Sequence, residues 1–100
     1  MQDLNEIIRE VRKQKHYYGS LKSELKKQIA TYPKGSIQKR AVKNNIYYYL
    51  QYRDKGKIIQ EYIGSKVPPE LEKQITERQK LQAKLKPVNE KLRILNKFKV

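Results

Sequence analysis

The sequence predicts an α+β fold, in which a three-stranded antiparallel β-meander is flanked by long basic amphipathic helices that form an antiparallel helical hairpin. Three observations lead to this prediction. Apolar residues recur at steps of three and four in the first and last thirds of the chain, the spacing of one helical face. In the middle third they alternate with polar residues in three short runs, and turn residues separate these runs. At 100 residues the chain is expected to be a single domain, residues 1–100, with helical segments at 3–31 and 68–97 around a meander at 36–63.

The first helix is predicted from its apolar stripe and its ends. The stripe consists of Leu4, Ile8, Val11, Tyr18, Leu25, Ile29 and Tyr32, with Lys15 and Lys22 in its gaps. Asp3 is the predicted N-cap, and Glu6 follows three positions later, as in a capping box. Pro33 and Gly35 end the helix, because proline cannot continue the hydrogen-bond ladder and glycine permits a turn. Gly19 either interrupts one long helix or separates two shorter ones.

The last third of the chain predicts a second helix. Pro68 and Pro69 stand at its start, where the missing N–H does no harm. Its apolar stripe consists of Leu71, Ile75, Leu81, Leu85, Val88, Leu92 and Leu95. Pro87 lies inside the stripe and is expected to kink or split the helix. The apolar stripes of the two helices are expected to pack together as an antiparallel pair.

The middle third predicts three strands at residues 36–42, 46–53 and 57–63. The first turn is expected at residues 43–45 and the second, a glycine-containing hairpin loop, at residues 54–56. Because successive side chains point to opposite sides of a strand, each strand divides into two faces. The face expected to pack on the helices carries Ile46, Tyr48, Leu50, Tyr52, Ile59 and Ile63. The face expected to point outward carries Gln38, Arg40, Tyr47, Tyr49, Gln51, Arg53, Gln60 and Tyr62.

The charge and the outward face predict a nucleic-acid partner. The formal net charge is +14, and a field of that sign attracts polyanions. Arginine can pair with guanine, and glutamine with adenine, through two hydrogen bonds, while tyrosine can stack on a base or contact a phosphate. For a tyrosine taken singly, cross-strand packing is the alternative role. The predicted nucleic-acid-binding residues are Gln38, Arg40, Lys43, Tyr47, Tyr49, Gln51, Arg53, Lys55, Lys57 and Tyr62.

Other classes of function find little support in the sequence. The chain has no cysteine, which excludes disulfides, thiolate metal sites and cysteine nucleophiles. Its one histidine, His16, has no neighbouring carboxylate to orient it, and the acidic residues are scattered rather than clustered for Mg²⁺. We therefore expect no enzyme, no catalytic residue, no cofactor and no metal site. No run of about 18 apolar residues could span a membrane, and residues 1–6 lack the features of a signal peptide. A cytoplasmic protein without a membrane partner is expected.

The meander also resembles a known pattern. Residues 33–37, 47–53, 56–57 and 61–64 resemble the P-x-G-S, YYYL-x-YR, GK and EYIG motifs of a small uncharacterised domain of bacteria, archaea and their mobile elements. That resemblance extends over residues 33–95. The strands at 36–63 are similar, more loosely, to the arm-type and AP2-like three-stranded DNA-binding domains of phage integrases. The looser resemblance implies a sheet in the DNA major groove, with basic or polar strand residues contacting the DNA.

Three functions follow as hypotheses. The first is a phage or mobile-element protein that binds nucleic acid, DNA rather than RNA, through the outward face of the meander and the basic helices. The second is a phage-encoded inhibitor, similar to an anti-CRISPR protein, that docks on a nuclease or recombinase complex with its nucleic acid. The third is a structural module that forms homo-oligomers through its helical stripes, with the charge serving solubility.

Overall fold

The computed structural model describes residues 3–100. Met1 and Gln2, which the expectations for the N-terminus include, lie outside the described residues. The elements follow in the order α1 (Leu4–Ala30), β1 (Ser36–Val42), β2 (Asn45–Asp54), β3 (Lys57–Gly64) and α2 (Pro69–Leu95). The predicted α+β fold, with two helices flanking a three-stranded antiparallel sheet, is therefore confirmed.

Helix α1 is continuous through Gly19, so the first of the two possibilities left by the sequence is correct. Asp3 is its N-cap, and the Oδ1 atom of that side chain accepts a hydrogen bond from the backbone N–H of Glu6 at 2.8 Å. The apolar stripe becomes buried toward the C-terminal end of the helix, at Leu25 and Ile29. Leu4 begins the predicted stripe, but its side chain is 70% exposed.

Helix α2 is also continuous, so of the two outcomes expected at Pro87, a kink or a split, the split does not occur. Proline lacks an N–H, so the carbonyl of Ala83, four residues earlier, loses its backbone partner. Both residues are exposed, so water can take the place of that donor. The helix retains its apolar stripe across this point, with Val88 and Leu95 buried.

The chain divides into two compact units. The helical unit comprises the residues up to Thr31 together with Lys80–Val100, and the sheet unit comprises Tyr32–Gln79. No helix within residues 3–100 is both long enough and apolar enough to cross a membrane.

In the helical unit, the two helical segments run antiparallel. The Nζ atom of Lys15 donates a hydrogen bond to the backbone carbonyl of Phe98. Three residues further along α1, the ring of Tyr18 lies with its centroid 6.0 Å from the Nζ atom of Lys91. Lys15 thus meets Phe98, whereas Tyr18, later in α1, meets Lys91, which is earlier in the second segment. This order is that of an antiparallel pair. The buried side chains of this unit are Leu25, Ile29, Val88 and Leu95.

In the sheet unit, the strands lie in the order β1-β2-β3. Both hairpin loops have two residues, because Val42 pairs with Asn45 and Asp54 pairs with Lys57. The predicted turns were one residue longer, and the shorter loops extend β2 at both ends. Each strand nevertheless covers the predicted positions.

The sheet has less of a core than the sequence suggested. Within β1–β3, all of which the structure describes, no side chain is fully buried, and Tyr47 to Tyr52 are half-buried on both faces alike. Ile46 shares a face with Leu50, as predicted, but it is 41% exposed, so the prediction that it is an inward, packed residue is wrong. Its partner on β1 is Ala41, whose methyl group is too small to cover it.

Candidate nucleic-acid interface

One face of the sheet gathers polar, basic and aromatic side chains. Directly opposed residues of an antiparallel pair point to the same side, so the register defines this face. We call it the polar–aromatic face. Its members are Ser36, Gln38, Arg40 and Val42 on β1, Asn45, Tyr47, Tyr49, Gln51 and Arg53 on β2, and Ile58, Gln60 and Tyr62 on β3.

The two faces differ in charge. The meander contains two acidic residues, Asp54 and Glu61, and the register places both on the opposite face. Over the three strands, which lie wholly within the described residues, the polar–aromatic face therefore carries two guanidinium groups and no carboxylate. The opposite face carries two lysines, Lys39 and Lys57, together with the two acids, so the formal charges of its strand residues cancel. Net positive charge in the sheet is thus concentrated on one side.

A chain of hydrogen bonds crosses the polar–aromatic face from β1 to β3. The Nη2 atom of Arg40 donates to Oε1 of Gln60 at 2.6 Å. The Nε2 atom of Gln60 in turn donates to Oε1 of Gln51 at 2.8 Å. The guanidinium carbon of Arg40 lies 5.1 Å from the centroid of the Tyr49 ring, within the range of a cation–π contact. Four side chains from three strands thus hold one another in place.

Three tyrosine rings lie beside this chain. The Tyr62 ring is tilted against Tyr49, with centroids 5.5 Å apart, and against Tyr47, with centroids 6.1 Å apart. These separations are typical of favourable aromatic pairs. Tyr47 and Tyr49 are half-buried, whereas Tyr62 is 60% exposed. The cluster therefore offers one open ring on a supported aromatic base.

Lysines occupy the hairpin loops at the two ends of β2. Lys43 and Lys55 have positive φ angles of 55° and 51°. Residues other than glycine, asparagine and aspartate rarely adopt this conformation, and it costs about 1–2 kcal/mol each. Two long cations thus stand at opposite ends of the polar–aromatic face, at positions where the backbone alone would favour other residues.

The structure brings most of the predicted binding residues together. Gln38, Arg40, Tyr47, Tyr49, Gln51, Arg53 and Tyr62 share the polar–aromatic face, and Lys43 and Lys55 lie at its ends. Lys57 does not join them, because its pairing with Asp54 places it on the opposite face. Gln60 was predicted to point outward but was not singled out as a site residue. Its hydrogen bonds are with Arg40 on β1 and Gln51 on β2, and the sequence of β3 alone does not indicate which residues lie beside it.

On the opposite face, the hydroxyl of Tyr52 donates a hydrogen bond to Oε1 of Glu61 at 2.5 Å. This hydrogen bond, with burial and the nearby negative charge of Glu61, raises the pKa of Tyr52 above its usual 10.0. A raised folded-state pKa adds stability that is fully present below pH 10 and is lost as the pH rises through the folded-state pKa.

In an ultraviolet titration of the eight tyrosines, we expect Tyr52 to ionise at the alkaline end. Tyr52→Phe should remove that late component, and loss of an early component instead would contradict the assignment.

Among residues 3–100, no group of three or more histidine, cysteine, aspartate or glutamate side chains is placed to hold a metal ion. The arrangement on the polar–aromatic face is one of hydrogen-bond donors, aromatic rings and positive charge. Such a surface can pair with bases, stack on them and neutralise phosphates.

Neither a curated protein nor a solved structure matches the chain. A family model, described as "Domain of unknown function (DUF6788)", matches residues 1–73. The match takes in α1, all three strands and the first turn of α2, whereas the resemblance noted in the sequence began at residue 33 and extended to residue 95. An uncharacterised domain was expected, and the chain belongs to the DUF6788 family.

Proposed function

We propose that the protein binds nucleic acid, DNA in preference to RNA, through the polar–aromatic face. The observation that carries this proposal is the charge division of the sheet. Arg40 and Arg53 share a face without a carboxylate, while both acids of the meander lie on the other side. Solubility alone would not require this division, because the same charged residues spread evenly over both faces would serve it equally well.

The chemistry of the face supports the same proposal. Its glutamine and arginine side chains are the residue types that form paired hydrogen bonds with base edges. The Arg53 side chain is exposed and makes no hydrogen bond or ion pair with any described residue. It is therefore available to a phosphate or a base. Lys43 and Lys55 can reach the backbone of a bound duplex from the two ends of β2.

Duplex DNA is favoured because of the shape of its grooves. The major groove of B-form DNA admits a β-ribbon and displays a distinct pattern of donors and acceptors for each base pair. The major groove of A-form RNA is deep and narrow, so side chains cannot read it. A supported strand surface without a long flexible loop suits the wider groove. The basic helices add long-range attraction for a polyanion of either kind.

A salt titration tests this proposal. The full-length protein is titrated with duplex DNA, single-stranded DNA and structured RNA at low and at moderate salt. Each neutralised phosphate makes the slope of log affinity against log salt more negative by about 0.9. With Arg53, Lys43 and Lys55 on phosphates, we expect a slope of about −3 on duplex DNA, and weaker binding to RNA. Absence of binding to all three probes at low salt would rule the proposal out.

The mobile-element origin and the integrase-like docking of the sheet in the groove are part of this proposal, and the strand motifs are their support. An inhibitor that docks on a nuclease complex would bind nucleic acid weakly alone and strongly once the nuclease is added. That result would favour the second hypothesis.

An oligomeric module is the other candidate, because the helical unit exposes apolar side chains. Ile7 near the start of α1, and Ile94 and Phe98 near the end of the chain, are about half exposed. Sedimentation at increasing protein concentration checks this function. A stable oligomer that Arg40→Ala and Arg53→Ala leave unchanged, in a protein that binds none of the probes, would favour it.

A further inference from the structure

We infer that Arg40 reads a guanine base, and that Gln60 and Gln51 position its guanidinium for that contact. This inference rests on the proposed binding of DNA by the polar–aromatic face. It assigns different roles to residues that the sequence treats alike. One arginine is a base-reading residue, and the two glutamines act through it.

The position of the guanidinium is the first reason. Arg40 lies on β1, yet its hydrogen-bond acceptor Gln60 lies on β3. Neighbouring strands are about 4.8 Å apart, so this side chain spans most of the roughly 10 Å between the outer strands. Its charged end therefore lies over the middle strand, above the Tyr49 ring. Arg53 lies near one end of β2, and Lys43 and Lys55 in the loops beyond, so Arg40 is the central cation of the face.

The orientation of the guanidinium is the second reason. The amide of Gln60 donates through Nε2 to Gln51, which directs its Oε1 atom toward Arg40. The guanidinium is thus held by a hydrogen bond at its edge and by an aromatic ring beside it. A phosphate contact needs only charge within reach, and a flexible lysine supplies that. A planar group held in one orientation suits a flat ligand with two fixed acceptors.

The base is identified by comparing the N–H donors of Arg40 that Gln60 leaves free with the acceptors that each base presents. Arginine has five N–H donors in a rigid fork, and the contact with Gln60 uses one of them. Guanine presents two acceptors, O6 and N7, at the spacing of that fork. The side chains that match adenine are asparagine and glutamine, so a base that lies against the Arg40 guanidinium is matched by guanine rather than by adenine. Cytosine pairs best with a carboxylate acceptor, and the strands place none on this face.

The test compares equal-length duplexes of alternating G·C and alternating A·T pairs. We expect the wild-type chain to prefer the G·C duplex about tenfold or more, as one bidentate pair provides. Replacing guanine with 7-deazaguanine removes the N7 acceptor and should abolish most of that preference. Gln60→Ala should bind both duplexes with the affinity that the wild type has for A·T. This variant removes no charge, so its salt slope should stay close to that of the wild type.

Gln79→Ala is the matched control. Gln79 is an exposed residue of α2 and lies outside the polar–aromatic face, so its loss should leave the preference intact. Thermal melts establish that every variant is folded. Equal binding of both duplexes by the wild type, or a preference that survives Gln60→Ala, would overturn the inference alone. Failure to bind either duplex at low salt would overturn the proposed function as well.

Discussion

Replacing both Arg40 and Arg53 with alanine is expected to weaken binding to duplex DNA about thirtyfold or more. Each of the two contacts is worth at least about 1 kcal/mol, and tenfold in affinity corresponds to about 1.4 kcal/mol. The salt slope should also become shallower by about one, since Arg53 is the phosphate contact of the two. Fluorescence anisotropy with a labelled duplex at several salt concentrations measures both quantities.

The matched control removes the same charge from the other side of the sheet. Lys39→Ala with Lys57→Ala deletes two cations from the face that carries Asp54 and Glu61. If the polar–aromatic face binds DNA, this variant loses only the general attraction, a change of a few-fold at moderate salt. Equal losses in the two double variants would show that DNA senses the net charge rather than one face.

Replacing Gly35 with alanine is expected to lower the free energy of unfolding by about 2–5 kcal/mol. Gly35 has a φ of 110°, and a Cβ atom there would lie 2.3 Å from the backbone oxygen of Gln51. The conformation alone costs an alanine about 1–2 kcal/mol, and a backbone atom cannot rotate away from the clash as a side chain could. The whole free energy of unfolding of a small protein is roughly 5–15 kcal/mol. A loss of this size should lower the melting temperature by about 10 °C or more.

Gly19 provides the control for this substitution. It lies within α1, and a Cβ atom at that position would meet nothing within 4 Å. Gly19→Ala should therefore stabilise the protein by about 0.5–1 kcal/mol, the difference in helix propensity between the two residues. Circular dichroism melts of both variants check the pair. A Gly35→Ala protein as stable as the wild type would show that β1 can move away from β2 without cost.

The helices and strands could be predicted because their signals are local. The Asp3 cap and the two apolar stripes specify α1 and α2 without reference to the rest of the chain. The exception is Pro87, where the local rule predicted a kink or a break and the helix is not broken. A single lost hydrogen bond at an exposed carbonyl is not enough to interrupt a helix of 27 residues whose other bonds remain.

The faces of the individual strands were also predictable, since alternation has a fixed period of two. The relation between strands was not. Lys57 was predicted to contact phosphates because it was taken to lie at the second turn. A loop of two residues instead of three pairs Lys57 with Asp54, so Lys57 lies on the face opposite to Arg53.

The sequence by itself determined the elements of this protein, the excess of positive charge and the polar and aromatic residues of one strand face. Each of these depends on residue type and on spacing along a single stretch of chain. Only the tertiary structure decided that both acids lie away from that face, that Ile46 is left uncovered by Ala41, and that Arg40 meets Gln60. These are contacts between residues on different strands, and strand register, set by the length of the turns, determines which residues become neighbours.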